Sequence, residues 1–170
     1  MGKLYLSNLF QYVKIIYGVE TMYIALFTVI IILIDQMSKH LIRSSLVQFE
    51  KISLIDDYFY LTFVKNRGAA FGIFRGHRSF FIIITIIFLI FIIYLYFKEL
   101  PQNITTKISI IFLFGGSIAN LIDRVIFHYV TDFLAFDLLD FYKLPVINIA
   151  DIFIFFGIII LIHQLLFLSD

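Results

Sequence analysis

Phe80-Phe81-Ile82-Ile83-Ile84-Thr85-Ile86-Ile87-Phe88-Leu89-Ile90-Phe91-Ile92-Ile93-Tyr94-Leu95-Tyr96-Phe97 holds one clearly polar residue, Thr85, and no charge. A run of this length is close to the roughly 20 residues an α-helix needs to cross a bilayer, so it reads as a lipid-facing transmembrane helix. Three more apolar runs cover about 22–42, 104–122 and 149–168. They are less clean: the first carries Asp35 and Lys39, the second Asn120, and the third Asp151 at one end. Polar groups are costly in hydrocarbon, so these three helices are expected to face an interior. Composition agrees, with 62% of the 170 residues apolar and 15% charged and a mean hydropathy of +1.02. The expectation is an all-α polytopic membrane protein with four transmembrane helices.

Outward from the spans, two connecting regions are long enough to hold structure. Residues 44–78 contain Phe59-Tyr60-Leu61-Thr62-Phe63-Val64 and then Asn66-Arg67-Gly68, which predicts short strands and a turn. A bare sheet edge leaves backbone groups unpaired in lipid, so this small strand-rich subdomain belongs at the water interface. Residues 124–147 are expected as a short external helical or loop segment, with Pro145 suited to a chain about to start a helix. Ahead of the first span, Leu6, Leu9, Phe10, Val13, Ile16 and Tyr17 fall at helical spacing, so residues 1–21 read as an interfacial helix or a dispensable leader. With no repeat or low-complexity linker, 1–170 is one membrane-embedded domain.

A formal net charge of +1 gives no electrostatic reason for a nucleic-acid partner. The absence of cysteine removes disulfides, thiol catalysis and thiolate metal sites. Four spans put both termini on one side and both long regions on the other. The positive-inside rule argues against cytoplasmic termini, since Lys3, Lys14, Lys98 and Lys107 lie on the termini side and nine Lys and Arg on the loop side. Lys39, Arg67 and Arg124 belong to candidate site motifs, so those charges have other uses.

Those motifs are Asp35-Gln36-Met37-Ser38-Lys39; Lys65-Asn66-Arg67-Gly68-Ala69-Ala70-Phe71-Gly72; Gly115-Gly116-Ser117-Ile118-Ala119-Asn120-Leu121-Ile122-Asp123-Arg124; Val130-Thr131-Asp132-Phe133; and Asn148-Ile149-Ala150-Asp151. Asp132 follows one apolar segment and Asp151 opens the next, a placement able to bring both acids to one membrane face. Two adjacent carboxylates do not both ionise easily; sharing a proton, one activates water while the other donates to a carbonyl.

Taken in order and at this spacing, the five blocks closely resemble lipoprotein signal peptidase, the signal peptidase II family of bacterial aspartyl proteases. The leader and Ile147, where many relatives carry an aromatic residue, depart from the pattern. The resemblance implies an intramembrane endopeptidase that cuts diacylglyceryl-modified prolipoproteins just before the lipidated cysteine. It implies a multi-pass protein of the bacterial cytoplasmic membrane, with cytoplasmic termini and a site facing the outer leaflet. Asp132 and Asp151 would be the catalytic pair, without cofactor or metal. Asn66, Asn120, Arg124 and Asn148 would bind substrate. Prolipoproteins and membrane lipids are the expected partners, and a monomer is expected.

Asp123 competes for a place in the dyad, but its neighbour Arg124 can hold it ionised, which suits a structural carboxylate. Gly116, Asn120 and Asp123 share a helix face. Asn120 lines the site or makes a helix-to-helix hydrogen bond; Asn148 caps the fourth helix and lines the site as well; Arg124 binds peptide or snorkels to lipid phosphate. Asp35 and Lys39, four apart, read as an internal ion pair supporting the site. Gly115 and Gly116 permit close helix approach, and Gly68 and Gly72 supply turns. The rival reading is a small proton-coupled transporter or channel subunit. It requires polar groups through the membrane depth, whereas here they gather at one end of three helices and leave the far half apolar. A zinc protease lacks its His-Glu-x-x-His motif here, and Ser117 has no evident His partner.

Overall fold

The computed structural model describes residues 2–56, 58–68, 76–137 and 144–167, with the side chains of 2–17 outside that set. Gly72 and the leader's apolar stripe therefore lie outside the described residues. The element order is α1 (Gly2–Ser45), β1 (Lys51–Ile55), β2 (Phe59–Asn66), α2 (Arg78–Lys98), α3 (Ile104–Ile126), β3 (Val130–Phe136) and α4 (Ile149–Phe167). Four helical stretches are long and apolar enough to span a bilayer: Gly18–Ser45, Arg78–Lys98, Ile104–Ile126 and Ile149–Phe167. The leader joins the first span in one continuous helix.

Helix α3 is the axis of the bundle, packed against α1, α2 and α4. Its small residues explain how. A Cβ on Gly115 would stand 2.7 Å from Ile31 Cγ2 of α1, and one on Gly116 would stand 2.5 Å from the Ala150 carbonyl oxygen of α4. On the opposite wall, a Cβ on Gly157 would lie 2.8 Å from Leu113 Cγ. Missing side chains thus let three backbones approach closely, which in lipid is what packing has to offer. In α2 only Ile92 and Leu95 are buried; they join Leu100, Ile110, Leu113 and Leu161 in an apolar cluster away from the acids. Phe88 and Tyr96 pack partly against that cluster, and most other apolar side chains of α2, such as Ile83, Ile87, Ile90 and Phe97, are exposed, as a lipid-facing sequence requires.

The three strands form one antiparallel sheet in the order β1-β2-β3. Strand β3 occupies part of the segment read from sequence as loop or short helix. Its Val130, Thr131 and Phe133 are strand formers, and pairing with β2 satisfies a backbone that would otherwise be orphaned beside the membrane. The register sets Val64 opposite Asp132 and Asn66 opposite Val130, with a bulge between Leu61 and Val64. Phe63 and Phe133 bury against Ile42 and Leu46, fastening the sheet to the end of α1.

The far half of the bundle is not wholly apolar. Gln164, almost fully buried, accepts through Oε1 from Asn103 Nδ2 at 2.8 Å and Thr106 Oγ1 at 3.3 Å, and Ser109 Oγ donates to the Gly157 carbonyl at 2.8 Å. These groups are uncharged and satisfy one another between α3 and α4. Among the described residues, the fully buried ionisable side chains, Asp35, Lys39 and Asp123, sit at the sheet end.

Candidate active site

The start of α4 organises the site. Asn148 Oδ1 accepts from the Asp151 backbone N–H at 3.0 Å, and Asp151 Oδ2 accepts from the Asn148 N–H at 3.1 Å. This reciprocal pair is a capping box, in which two orphan amides of a new helix each meet a side chain. The same Asn148 reaches with Nδ2 to Asp132 Oδ1 at 2.7 Å. One carboxamide therefore ties the acid on β3 to the acid on α4.

Each acid takes a second donor. Asn66, on the face of β2 that adjoins Asp132, donates Nδ2 to Asp132 Oδ2 at 2.8 Å, and Asn120 of α3 donates Nδ2 to Asp151 Oδ1 at 2.8 Å. Asp132 is only 3% exposed. Burial foremost, and then the nearby Asp151 charge, push its carboxyl up to about 7, against the pull of the Asn66 and Asn148 hydrogen bonds. A carboxyl tuned so close to neutrality can hold or release a proton at working pH.

Behind the pair lies a buried charge cluster. Lys39 Nζ sits 2.8 Å from Asp35 Oδ2 and 3.5 Å from Asp123 Oδ2, all three residues fully buried. Asp35 Oδ1 accepts from the Ala150 N–H at 2.8 Å, capping α4 from the side of α1. Asp123 accepts from Gln36 Nε2 at 3.1 Å and from the Thr131 N–H at 2.8 Å, and Arg43 Nη1 approaches it to 3.6 Å. The close cationic contacts of Asp123 come from Lys39 and Arg43 of α1, with the adjacent Arg124 adding only a longer-range attraction that it also extends to Asp151 and Asp132. Consecutive helix residues point about 100° apart, and the Arg124 guanidinium lies 5.3 Å from the Phe81 ring centre with Nη1 3.5 Å from the Asn120 carbonyl.

Sequence reasoning singled out neither Gln36 nor Arg43. The signal was available in α1, where Gln36, Lys39 and Arg43 fall three and four residues apart on one face. On the open side, Asn66, Arg67, Arg78, Phe81, Arg124, His128 and Tyr129 line a narrow cleft. A larger cavity, about 710 Å³, lies between α1 and α3 with an apolar wall and the Glu20–Lys107 pair at its mouth. Neither Asp132 nor Asp151 lines it, whereas Asn66, which donates to Asp132, lines the narrow cleft. Among the described residues no group of three or more His, Asp or Glu is placed to hold a metal ion.

The family model for signal peptidase (SPase) II matches residues 27–167. The chain belongs to the signal peptidase II family. It is 43% identical over 136 residues to a lipoprotein signal peptidase of Halothermothrix orenii, covering 80% of this chain and 90% of the relative. It is 36% identical over 141 residues to that of Staphylococcus aureus, covering 83% and 86%. A solved bacterial membrane enzyme superposes with a TM-score of 0.78 at 34% identity, over 85% of this chain and 87% of the other; a second gives 0.75 at 35% identity, over 85% and 93%. The protein is thus a multi-pass membrane peptidase.

Proposed function

We propose that this peptidase removes signal peptides from diacylglyceryl-modified prolipoproteins, cutting before the lipidated cysteine with Asp132 and Asp151 as an aspartic dyad. The observation that carries the reading is the shared Asn148 side chain, which binds Asp132 while capping Asp151. Two acids so joined hold one proton between them. The ionised carboxylate takes a proton from water as the water oxygen attacks the scissile carbonyl carbon, and the protonated partner donates to the carbonyl oxygen. The acid that took the water proton then gives it to the amide nitrogen while its partner takes a proton from a hydroxyl of the tetrahedral diol; the C–N bond breaks, a carboxylic acid and an amine leave, and the dyad again holds one proton.

Asn66 and Arg124 line the cleft beside the dyad and are the donors for an extended peptide backbone, while Asn120 and Asn148 hold the acids. In this reading, which takes its orientation from the family resemblance, the sheet end with β3 and the start of α4 faces the outer leaflet and both termini are cytoplasmic. The working unit of this reading is a monomer. Two acyl chains on the substrate fix the scissile bond at the depth of the acids, at about 0.8 kcal/mol per buried CH₂.

The test is cleavage of a lipidated precursor in proteoliposomes. The parent chain cuts it; Asp132→Asn and Asp151→Asn insert and fold but do not; the unlipidated precursor is barely touched. Near-normal turnover by Asp132→Asn together with inactivity of folded Asp123→Asn would move the dyad elsewhere.

A further inference from the structure

Three carboxamides hold the dyad, and each must be turned with its NH₂ toward an acid, because a carboxamide oxygen in that place would face a carboxylate. Two of them are locked by backbone donors. Asn66 Oδ1 accepts from the Gly68 N–H at 3.0 Å, and Asn148 Oδ1 accepts from the Asp151 N–H at 3.0 Å. A backbone N–H only donates, so neither amide can flip without setting donor against donor.

Asn120 is oriented differently. Its Oδ1 accepts from Lys39 Nζ at 2.8 Å and from Asn148 Nδ2 at 3.2 Å. We propose that Lys39 is a positioning residue for the dyad: its ammonium fixes the direction of the Asn120 amide, and Asn120 in turn fixes Asp151. The proposal rests on the dyad reading above and extends it to a side chain that touches neither acid. An ammonium has three donors and no acceptor. Turned over, Asn120 would set its NH₂ against that ammonium and its oxygen against Asp151 Oδ1, which are two repulsive contacts in place of two attractive ones.

Lys39 is itself immobilised. It is fully buried, with Asp35 Oδ2 at 2.8 Å and Asp123 Oδ2 at 3.5 Å, so its third direction is left for Asn120. The buried cluster then has a second task besides joining α1 to α3 and α4. Without the ammonium, the remaining donor to Asn120 Oδ1 is Asn148 Nδ2, at a longer distance and shared with Asp132. The amide can then turn, and Asp151 loses a donor for part of the time.

A double-mutant cycle in the precursor-cleavage assay separates this role from simple support. Lys39→Met is expected to lower kcat about 10- to 100-fold, the range known for outer partners that orient metal ligands, with KM little changed. Asn120→Ala is expected to lower kcat comparably. In the Lys39→Met, Asn120→Ala double variant the loss should be no greater than in the worse single one. Removing only Lys39 leaves Asp35 unpaired, so the cycle is repeated in an Asp35→Asn background, where both charges of the pair are gone and the Ala150 cap can persist. Thermal unfolding of each purified variant normalises rates to folded protein. Losses that multiply, or a near-normal kcat in folded Lys39→Met, would overturn the positioning role while parent cleavage left the dyad reading intact. A parent chain that fails to cut the lipidated precursor would overturn both.

Discussion

At pH 8 the Asp132→Asn variant is expected to withstand heating better than the parent chain, and at pH 4 to fail before it. Asp132 is held at about 7 in the fold against an ordinary 3.8. The folded protein therefore keeps a proton that the unfolded chain gives up between those values, and parent stability falls as pH rises through that window. Three pH units correspond to about 4 kcal/mol of stability, fully present below pH 4 and fully lost above pH 7. An asparagine carries no such penalty, but it presents one NH₂ to either Asn66 or Asn148, both of which donate to Asp132. That mismatch costs about 1–3 kcal/mol at every pH. The variant is then more stable by about 2 kcal/mol at pH 8, or roughly 4–8 °C in midpoint for a chain of this size, and less stable at pH 4 by the mismatch alone. Thermal unfolding of both proteins in one detergent across pH 4–8 measures the crossing. A midpoint difference that keeps one sign and size at all pH values would show that Asp132 does not carry a raised carboxyl in the fold.

The same group shapes the rate: kcat for the lipidated precursor is expected to fall about tenfold per unit above pH 7, as the dyad loses its shared proton, and a flat profile to pH 9 would count against it. Gly116→Ala is expected to destabilise by about 1–3 kcal/mol and to lower activity, because the new methyl meets the Ala150 carbonyl at the head of α4. Gly18→Ala, with open space around its Cβ, is expected to be neutral or to stabilise by up to about 1 kcal/mol; thermal midpoints compare the two. Reporter fusions after Lys51 and after Gln102 are expected to read external and cytoplasmic, and the opposite pattern would reverse the topology.

The transmembrane helices are written in the sequence because lipid offers the backbone no partner, so each span must be one unbroken helical run. Strand β2 was legible for a related reason: Phe59 to Val64 is dense in strand formers with a turn after it. Strand β3 was not, since Asp132 interrupts its few strand formers, and what fixes it is a partner 66 positions away along the chain, as Asn66 and Asp132 illustrate. The motif around Asp132 drew attention to that residue without disclosing its backbone. The capping pattern Asn148-x-x-Asp151 can be read directly, being a local matter of one helical turn. For Asp123 the sequence offered only its neighbour Arg124, because its closer partners Lys39 and Arg43 arrive from another helix. Gln164 escaped notice since an amide near the end of an apolar run looks like ordinary solvation until Asn103 and Thr106 are seen against it.

The turn that begins α4 has a bearing on control. The bonds that start this helix are the bonds that aim Asp151, so the chain cannot begin its fourth span as it does here while that acid is turned away. A resting form made by displacing Asp151 would cost the first turn of a helix at the membrane. Asp132 carries no such tie to helix formation, so any control from within the molecule would fall on the sheet that bears it.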